Sequence, residues 1–254
     1  MFYLYSVPLT IIWFLYFWLF LLISVPALLV CKRRVKKGDW TGADRITRRW
    51  VPIWANSLLG LAGVRKTVTG LENIPKGRPC VFVANHESYY DIPVMLTSLG
   101  EPHALMAKAE IKKIPLVSGW MRNLGCIFVD RSDARSAMNS LKQAEQLIRL
   151  GRSVTIFPEG TRSKNGELGE FKGGSFRIAT KTGACLVPVR IEGTRDIMEN
   201  NGFFWMKPGR VQVYILPPVE TQGLSKEEQK QLPEKVRGMI ENDREAERAA
   251  EKKA

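Results

Sequence analysis

The chain has 254 residues, 45% of them hydrophobic, and a formal net charge of +13. This length suits one substantial domain, with or without an appendage, and the hydrophobic content argues against global disorder. The positive charge indicates an anionic partner, and both nucleic acid and an anionic membrane surface fit it.

The N-terminal 31 residues contain no charged side chain, and the apolar run LTIIWFLYFWLFLLISVPALLVC occupies 9–31. As a helix this run would be about 34 Å long, which is enough to cross the hydrocarbon core of a bilayer. A cleaved signal peptide is disfavoured because the run is long and no basic residue precedes it. We therefore expect a membrane-associated helix, which Pro26 allows to bend.

Positive charge is concentrated directly after that run. Residues 32–66, which begin with KRRVKK, carry ten Lys and Arg against two Asp, a net of +8, and leave +5 for residues 67–254. A basic cluster beside an apolar segment is typical of membrane-surface proteins, whereas a nucleic-acid binder more often carries its basic stripe on the folded domain. We expect anionic lipid as a partner, no nucleic acid, and a location on the cytoplasmic face of the cell membrane.

A second helix is predicted next, with Thr41 or Asp44 as its N-cap. Its apolar positions recur at helical spacing: Ile46, Trp50, Ile53, Trp54, Leu58 and Leu61. Such a helix either lies in the membrane interface, as the second arm of a hairpin, or packs on the soluble core. We assign residues 1–64 to a membrane-associated two-helix segment, which spans the bilayer or dips into one leaflet.

The rest of the chain alternates between strand and helix patterns. Strands are predicted at 80–84, 103–107, 126–130, 153–157, 185–191 and 210–216, and helices at 133–150 and about 174–182. This alternation predicts an α/β domain over 65–224, with a largely parallel or mixed sheet flanked by helices. Residues 225–254 are predicted as a charged helix or tail. The four scattered cysteines indicate reduced thiols and no zinc site.

The stretch VANHESYYD (83–91) places His86 just beyond a predicted strand and Asp91 at a predicted helix start. Taken alone, Asp91 is as well explained by helix capping as by chemistry. In the functional interpretation, the turn brings Asp91 to one imidazole nitrogen of His86, and the other nitrogen acts as a general base. No G-x-S-x-G elbow is present, so the base would act on a substrate hydroxyl.

The stretch FPEGTRS (157–163) also follows a strand. It reads either as a surface turn or as an anion cradle, in which Gly160 exposes backbone amides, Thr161 donates a hydroxyl and Arg162 binds phosphate oxygens. Lys172 precedes a helix start, where anions bind favourably. Two further cations, Lys108 and Arg131, are each explained singly as solvated surface residues. Together with Arg162 and Lys172 they could converge on one edge of the sheet.

Four ordered segments resemble the motifs of the glycerolipid acyltransferases. NHESYYD resembles their N-H-x-x-x-x-D motif, KAEIKKIPLVSGWMRNLGCIFVDR (108–131) the second, FPEGTRS the third and LVPVRI (186–191) the fourth. A single H-x-x-x-x-D is a weak signal, but the ordered set over 85–191 is specific. One departure is Glu87, where many members have glutamine.

The resemblance implies roles for the residues of these motifs. His86 would abstract the proton of an acceptor 2-hydroxyl, with Asp91 orienting the ring, and Lys108 and Arg131 would contact phosphate or oxyanion. The third motif would form the acceptor site, through Glu159, Gly160, Thr161 and Arg162.

The resemblance also implies a reaction, in which an acyl carrier protein or coenzyme A thioester acylates lysophosphatidate to phosphatidic acid. No metal or redox cofactor is expected. The alternatives are transfer to another lysolipid or to glycerol-3-phosphate, hydrolysis of a lipid, and lipid binding without catalysis.

Overall fold

A seven-stranded sheet forms the centre of the part of the chain that the structure describes. The computed structural model describes residues 2–100, 103–130, 133–202 and 205–251. Its strands are β1 (Val64–Thr69), β2 (Cys80–Ala84), β3 (Ala104–Lys108), β4 (Ile127–Val129), β5 (Val154–Ile156), β6 (Cys185–Glu192) and β7 (Gly209–Ile215). Their order is β1-β7-β6-β2-β5-β3-β4, and neighbours are parallel except for the antiparallel pair β6 and β7. The predicted α/β fold with a mixed sheet is confirmed.

Strand β1 is missing from the sequence prediction, although the other six strands agree to within about a residue at most ends. It pairs with β7 at the edge of the sheet, and only its alternate side chains are half-buried. The central inward position is Lys66, whose ammonium donates to the carbonyl of Thr97 at 2.8 Å. Burial lowers the pKa of Lys66 to about 8. A cation in the middle of the inward face breaks the apolar alternation by which strands are predicted.

The predicted apolar helix is divided into α1 (Phe2–Ile23) and α2 (Val25–Lys36) by Ser24, two residues before Pro26. The predicted second helix is α3 (Trp40–Leu61). Its N-cap is Asp39, which accepts from the backbone N–H of Gly42 at 2.8 Å, so the predicted caps Thr41 and Asp44 are wrong. Gly38 adopts a left-handed conformation that ends the preceding turn. Helix α3 therefore begins before the first apolar position of the predicted pattern.

Helix α1 combines a long exposed apolar surface with a few anchoring contacts to the rest of the protein. Residues 4–23 are strongly apolar, with a mean hydropathy of 2.2 and 22% of the most apolar 18-residue window buried. By length and composition this helix can cross or anchor to a membrane. Trp13 is buried, and its indole N–H donates to the carbonyl of Leu58 in α3 at 2.9 Å. Helix α3 itself packs on the core through Leu58 and Leu59, while Ile53 stays exposed.

The remaining helices cover the two faces of the sheet, and their bounds are α4 (Asp91–Ser98), α5 (Val117–Leu124), α6 (Ala134–Arg149), α7 (Arg177–Thr182) and α8 (Lys226–Glu251). Helices α1, α3, α4 and α5 pack on the face that carries Phe82, and α6, α7 and α8 on the face that carries Val81 and Val83. The predicted helix 133–150 is α6, capped by Asp133. The predicted C-terminal charged helix is α8, whose Leu232, Val236 and Ile240 are buried.

The carboxyl ends of β2, β5, β3 and β4 lie at one edge of the sheet because these strands are mutually parallel. The H-x-x-x-x-D segment follows β2 and the FPEGTRS segment follows the adjacent strand β5. Ligand sites of open α/β sheets form at this edge.

Candidate active site

The structure brings His86 and Asp91 into direct contact. Strand β2 ends at Ala84 and α4 begins at Asp91, so the connection is a tight turn. Imidazole Nδ1 of His86 lies 2.7 Å from Oδ2 of Asp91, which is completely buried. A regular helix would point these two side chains apart, because they are five residues apart in the sequence. The turn brings them into contact instead.

The carboxylate of Asp91 is held by three further donors. Its Oδ2 accepts from the backbone N–H groups of Glu87 at 2.7 Å and Ser88 at 2.9 Å. Its Oδ1 accepts from the hydroxyl of Thr194 at 2.6 Å. A carboxylate with these donors can only accept from His86, so Nδ1 carries the proton of the neutral ring and Nε2 keeps its lone pair. Asp91 is the first residue of α4 and caps none of its N–H groups in the contacts described, so its carboxylate binds the preceding turn and the ring instead of the helix end.

The ring of His86 is also fixed from the side. Phe157, the first residue after β5, stacks on it with ring centroids 4.2 Å apart and an interplanar angle of 24°. The side chain of His86 is 18% exposed, so its ring remains accessible. The backbone is held as well, because the N–H of Ser163 donates to the carbonyl of His86 at 2.8 Å.

Glu159, predicted as a substrate ligand, is buried and engaged with the backbone. Its Oε1 accepts from the N–H of His86 at 2.8 Å and its Oε2 from the N–H of Gly169 at 3.0 Å. Burial raises the pKa of Glu159, and the two backbone hydrogen bonds oppose that rise. These contacts make Glu159 a support for His86 and for the loop that follows β5.

Gly160, Thr161 and Arg162, which follow Glu159, are less buried than it is. Gly160 adopts φ +78°, a left-handed conformation that favours glycine, and Thr161 is exposed. The guanidinium of Arg162 lies 3.6 Å from the ring centroid of Tyr89 and donates to Glu199 at 3.1 Å. About one third of the Arg162 side chain is exposed, so an anion can reach it.

The other predicted cations have contacts of their own. Lys108 ends β3, is exposed and pairs with Glu110 at 2.8 Å. Lys172 is exposed, and its backbone N–H donates to the carbonyl of Pro158. Arg131 lies outside the described residues. None of the contacts described for Lys108 or Lys172 reaches His86 or Asp91, so their part in one site stays a prediction.

Two site residues that the sequence analysis missed, Thr194 and Glu199, follow β6. Glu199 accepts from the hydroxyl of Ser88 at 2.6 Å and from the N–H of Tyr89 at 2.9 Å. A signal was present, because GTRDIMEN is a polar stretch directly after a predicted strand parallel to β2. No spacing links this stretch to the H-x-x-x-x-D segment, so the sequence pattern alone does not assign it to the site.

A buried polar layer lies beneath the turn. The side-chain amide of Asn85 accepts from the N–H of Ile191 at 2.7 Å and donates to its carbonyl at 2.8 Å, which ties the end of β2 to β6. Asn85 also donates to Glu87 at 3.2 Å. Burial, followed by the charge of Asp91, raises the pKa of Glu87 to about 7. This position therefore exchanges a proton near neutral pH.

The loop after β5 is held from outside by arginines. Arg237 of α8 donates to the carbonyls of Leu168 and Gly169 at 3.2 and 3.1 Å, and Arg244 to that of Gly166 at 2.9 Å. The loop that carries Glu159 is therefore attached to the C-terminal helix.

An apolar pocket, partly open to solvent, lies between the N-terminal helices and the sheet. Its walls include Trp50 and Trp54 of α3, Trp120 of α5, and Ile92, which directly follows Asp91. Hydrocarbon is the ligand chemistry that such a lining accommodates.

These features define an α/β protein in which a histidine contacts a buried carboxylate at the carboxyl edge of the sheet. An arginine lies in the neighbouring loop. A family model described as Acyltransferase matches residues 65–192, half of the chain. The chain therefore belongs to the acyltransferase family, as the four motifs indicated.

Individual relatives are named consistently. The chain is 35% identical to the 1-acyl-sn-glycerol-3-phosphate acyltransferase of Borreliella burgdorferi, over 72% of each chain. It is 40% identical to the chloroplast enzyme of that name, BAT2, from Brassica napus, over 69% of this chain and 52% of the relative. It is 41% identical to the chloroplast enzyme LPAT1 from Arabidopsis thaliana, over 60% of this chain and 43% of the relative. The chain thus spans about half the length of these plant relatives.

A solved structure has the same architecture. The crystal structure of the 1-acyl-sn-glycerophosphate acyltransferase PlsC from Thermotoga maritima superposes with a TM-score of 0.81 at 31% identity. The match covers 96% of this chain and 98% of that one, so it includes the N-terminal helices.

Proposed function

We propose that the protein transfers a fatty acyl group from an acyl thioester to the 2-hydroxyl of 1-acyl-glycerol-3-phosphate, which yields phosphatidic acid. The observation that carries this proposal is the His86–Asp91 contact of 2.7 Å, which leaves Nε2 of His86 as a free acceptor at an accessible edge. The names of the relatives support the choice of acceptor.

In this mechanism, Nε2 of His86 removes the proton of the acceptor hydroxyl as the oxygen attacks the thioester carbonyl carbon. The carbon–sulfur bond then breaks, and the proton on His86 passes to the leaving thiolate, which restores the neutral ring. Asp91 fixes the tautomer and stabilises the imidazolium that forms between the two steps. No acyl-enzyme is involved.

The acceptor phosphate would bind Arg162, with backbone amides near Gly160 and the hydroxyl of Thr161 as further donors. The outer cations Lys108, Arg131 and Lys172 would add attraction for the phosphate or for the oxyanion. Glu159 would act on this site through the backbone of His86.

The apolar pocket beside Ile92 would take an acyl tail, because its lining is hydrocarbon and aromatic. The thioester donor is an acyl carrier protein or coenzyme A derivative. Helix α1 would anchor the protein in the membrane, and the basic run 32–37 would keep the catalytic domain on the cytoplasmic face. This arrangement serves an acceptor that leaves the membrane reluctantly.

The test is an acyl-transfer assay with the full chain in lipid nanodiscs, labelled acyl thioesters of both kinds and a panel of acceptors. Lysophosphatidate should give labelled phosphatidate, while lysophosphatidylcholine and glycerol-3-phosphate should give little product. His86→Ala should lower the rate by about 10²–10⁴-fold while the protein stays folded, as judged by cooperative thermal unfolding. Release of free fatty acid without acyl transfer would contradict the proposal in favour of hydrolysis. Binding without turnover would contradict it in favour of a lipid carrier.

A further inference from the structure

Glu199 is a partly buried acid that joins the two segments of the candidate site. It lies in a short 3-10 helix, Glu199–Asn201, and its side chain is 18% exposed. One oxygen accepts from the hydroxyl of Ser88, and the other accepts from the N–H of Tyr89 and from the guanidinium of Arg162. No residue of the four family-like motifs supplies this carboxylate.

The positions of its partners give the contacts their significance. Ser88 and Tyr89 lie between His86 and Asp91, in the turn that holds the base. Arg162 lies in the loop after β5. A single carboxylate therefore sets the position of the arginine relative to the base, although Tyr89 and Arg162 are more than 70 residues apart in the sequence.

The orientation of Arg162 is fixed twice. Its guanidinium stacks on Tyr89, with 3.6 Å between Cζ and the ring centroid, which determines its plane. The charge-assisted bond from Nη1 to Glu199 then determines its rotation within that plane. A guanidinium has five N–H donors, so one bond to Glu199 leaves a fork for an anion. Holding a flexible side chain in its binding orientation lowers the entropy cost when the ligand arrives.

We propose that Glu199 is a positioning residue, which holds Arg162 so that the acceptor phosphate binds at the distance at which its 2-hydroxyl meets His86. This inference rests on the proposed function, in which Arg162 is the phosphate ligand. Glu199 touches no reacting atom and acts through Arg162.

The test compares Glu199→Gln and Glu199→Ala in steady-state kinetics. Glu199→Ala removes all three contacts and should raise the KM for lysophosphatidate by about 10–150-fold, the equivalent of one charge-assisted hydrogen bond. Glu199→Gln keeps the shape and loses the charge, so its KM should lie between those of wild type and Glu199→Ala. In Glu199→Gln, kcat and the donor KM should stay within about threefold of wild type.

A control and a double-mutant cycle make the result specific. Glu72→Gln makes the same change at an exposed acid after β1, at the opposite sheet edge, and should alter no kinetic constant. In an Arg162→Ala background, Glu199→Gln should raise the acceptor KM by less than twofold, because the residue through which it acts is gone.

Three results would overturn the inference. Additive effects in the cycle would mean that Glu199 does not act through Arg162. A lower acceptor KM in Glu199→Gln would mean that the carboxylate competes with phosphate. Equal losses in kcat, both KM values and thermal stability would mean a purely structural role. Failure of the proposed function is distinct, because wild type itself would then make no phosphatidate.

Discussion

The turn that carries His86 and the loops that carry the outer cations occupy the same sheet edge but are built differently. Asp91 is completely buried and engages His86, two backbone amides and a hydroxyl. Lys108 and Lys172 are exposed, and Arg162 is intermediate. The difference matches the proposed tasks. A base must be aligned before the substrate arrives, whereas a cation for phosphate must exchange water for an anion.

The largest effect is expected from Asp91→Asn, which probes the buried side of this comparison. The amide can still accept from the turn through one oxygen, but it no longer stabilises a charged imidazolium. We expect kcat to fall by about 10³-fold, with the unfolding temperature lowered by only a few degrees. The measurements are steady-state kinetics and thermal unfolding of the same preparation. Near wild-type kcat would mean that Asp91 serves the turn alone.

Glu159→Ala tests whether the neighbouring buried acid supports the base or binds substrate. The change leaves the N–H groups of His86 and Gly169 without their acceptor, which should lower the free energy of unfolding by about 2–4 kcal/mol. It should also lower kcat, because the backbone of His86 loses a fixed point. Chemical denaturation together with kinetics checks this. An unchanged unfolding free energy with a raised acceptor KM would instead make Glu159 a substrate ligand.

Glu87→Gln addresses the pH dependence of the buried layer. The pKa of Glu87 is about 7 in the fold, against an ordinary value of 4.5, so the folded state binds its proton more tightly. Stability should therefore fall as the pH rises from about 4.5 to about 7 and stay level above that range. Glu87→Gln should remove this loss and stabilise the protein at pH 8 by about 1–3 kcal/mol relative to wild type. If the unfolding free energies of the two proteins changed with pH in the same way, the raised pKa of Glu87 would be contradicted.

The smallest effect is expected from the exposed cations. Lys172→Ala should raise the acceptor KM by about two- to fivefold at low ionic strength, and the effect should vanish in about 0.5 M salt because exposed charges are screened. Lys76→Ala is the matched control, since this exposed lysine precedes β2 at the opposite edge. Equal effects of the two variants would assign Lys172 to general attraction of anions.

The sequence predicts the features of this edge that are local and fails on those that are distant. His86 and Asp91 were placed together because a strand end, a turn and a helix start follow one another within nine residues. Thr194 and Glu199 reach the same turn from more than 100 residues away, and no local pattern encodes that contact. Glu159 matched the motif, but only the fold reveals that its oxygens meet backbone amides. The role of Arg131 stays a prediction, because it lies outside the described residues.

The reversal of direction between β6 and β7 has a consequence for how a lipid arrives. Because β1 runs with β7 and against β2, the chain leaving α3 enters the sheet at the edge where His86 lies. Trp13 of α1 accordingly packs against Tyr90, the neighbour of Asp91, with 5.8 Å between ring centroids. The apolar helix α1 and His86 therefore occupy one end of the molecule. An acceptor diffusing laterally in the leaflet would be delivered in two dimensions, and turnover should follow its mole fraction in the membrane, not its bulk concentration.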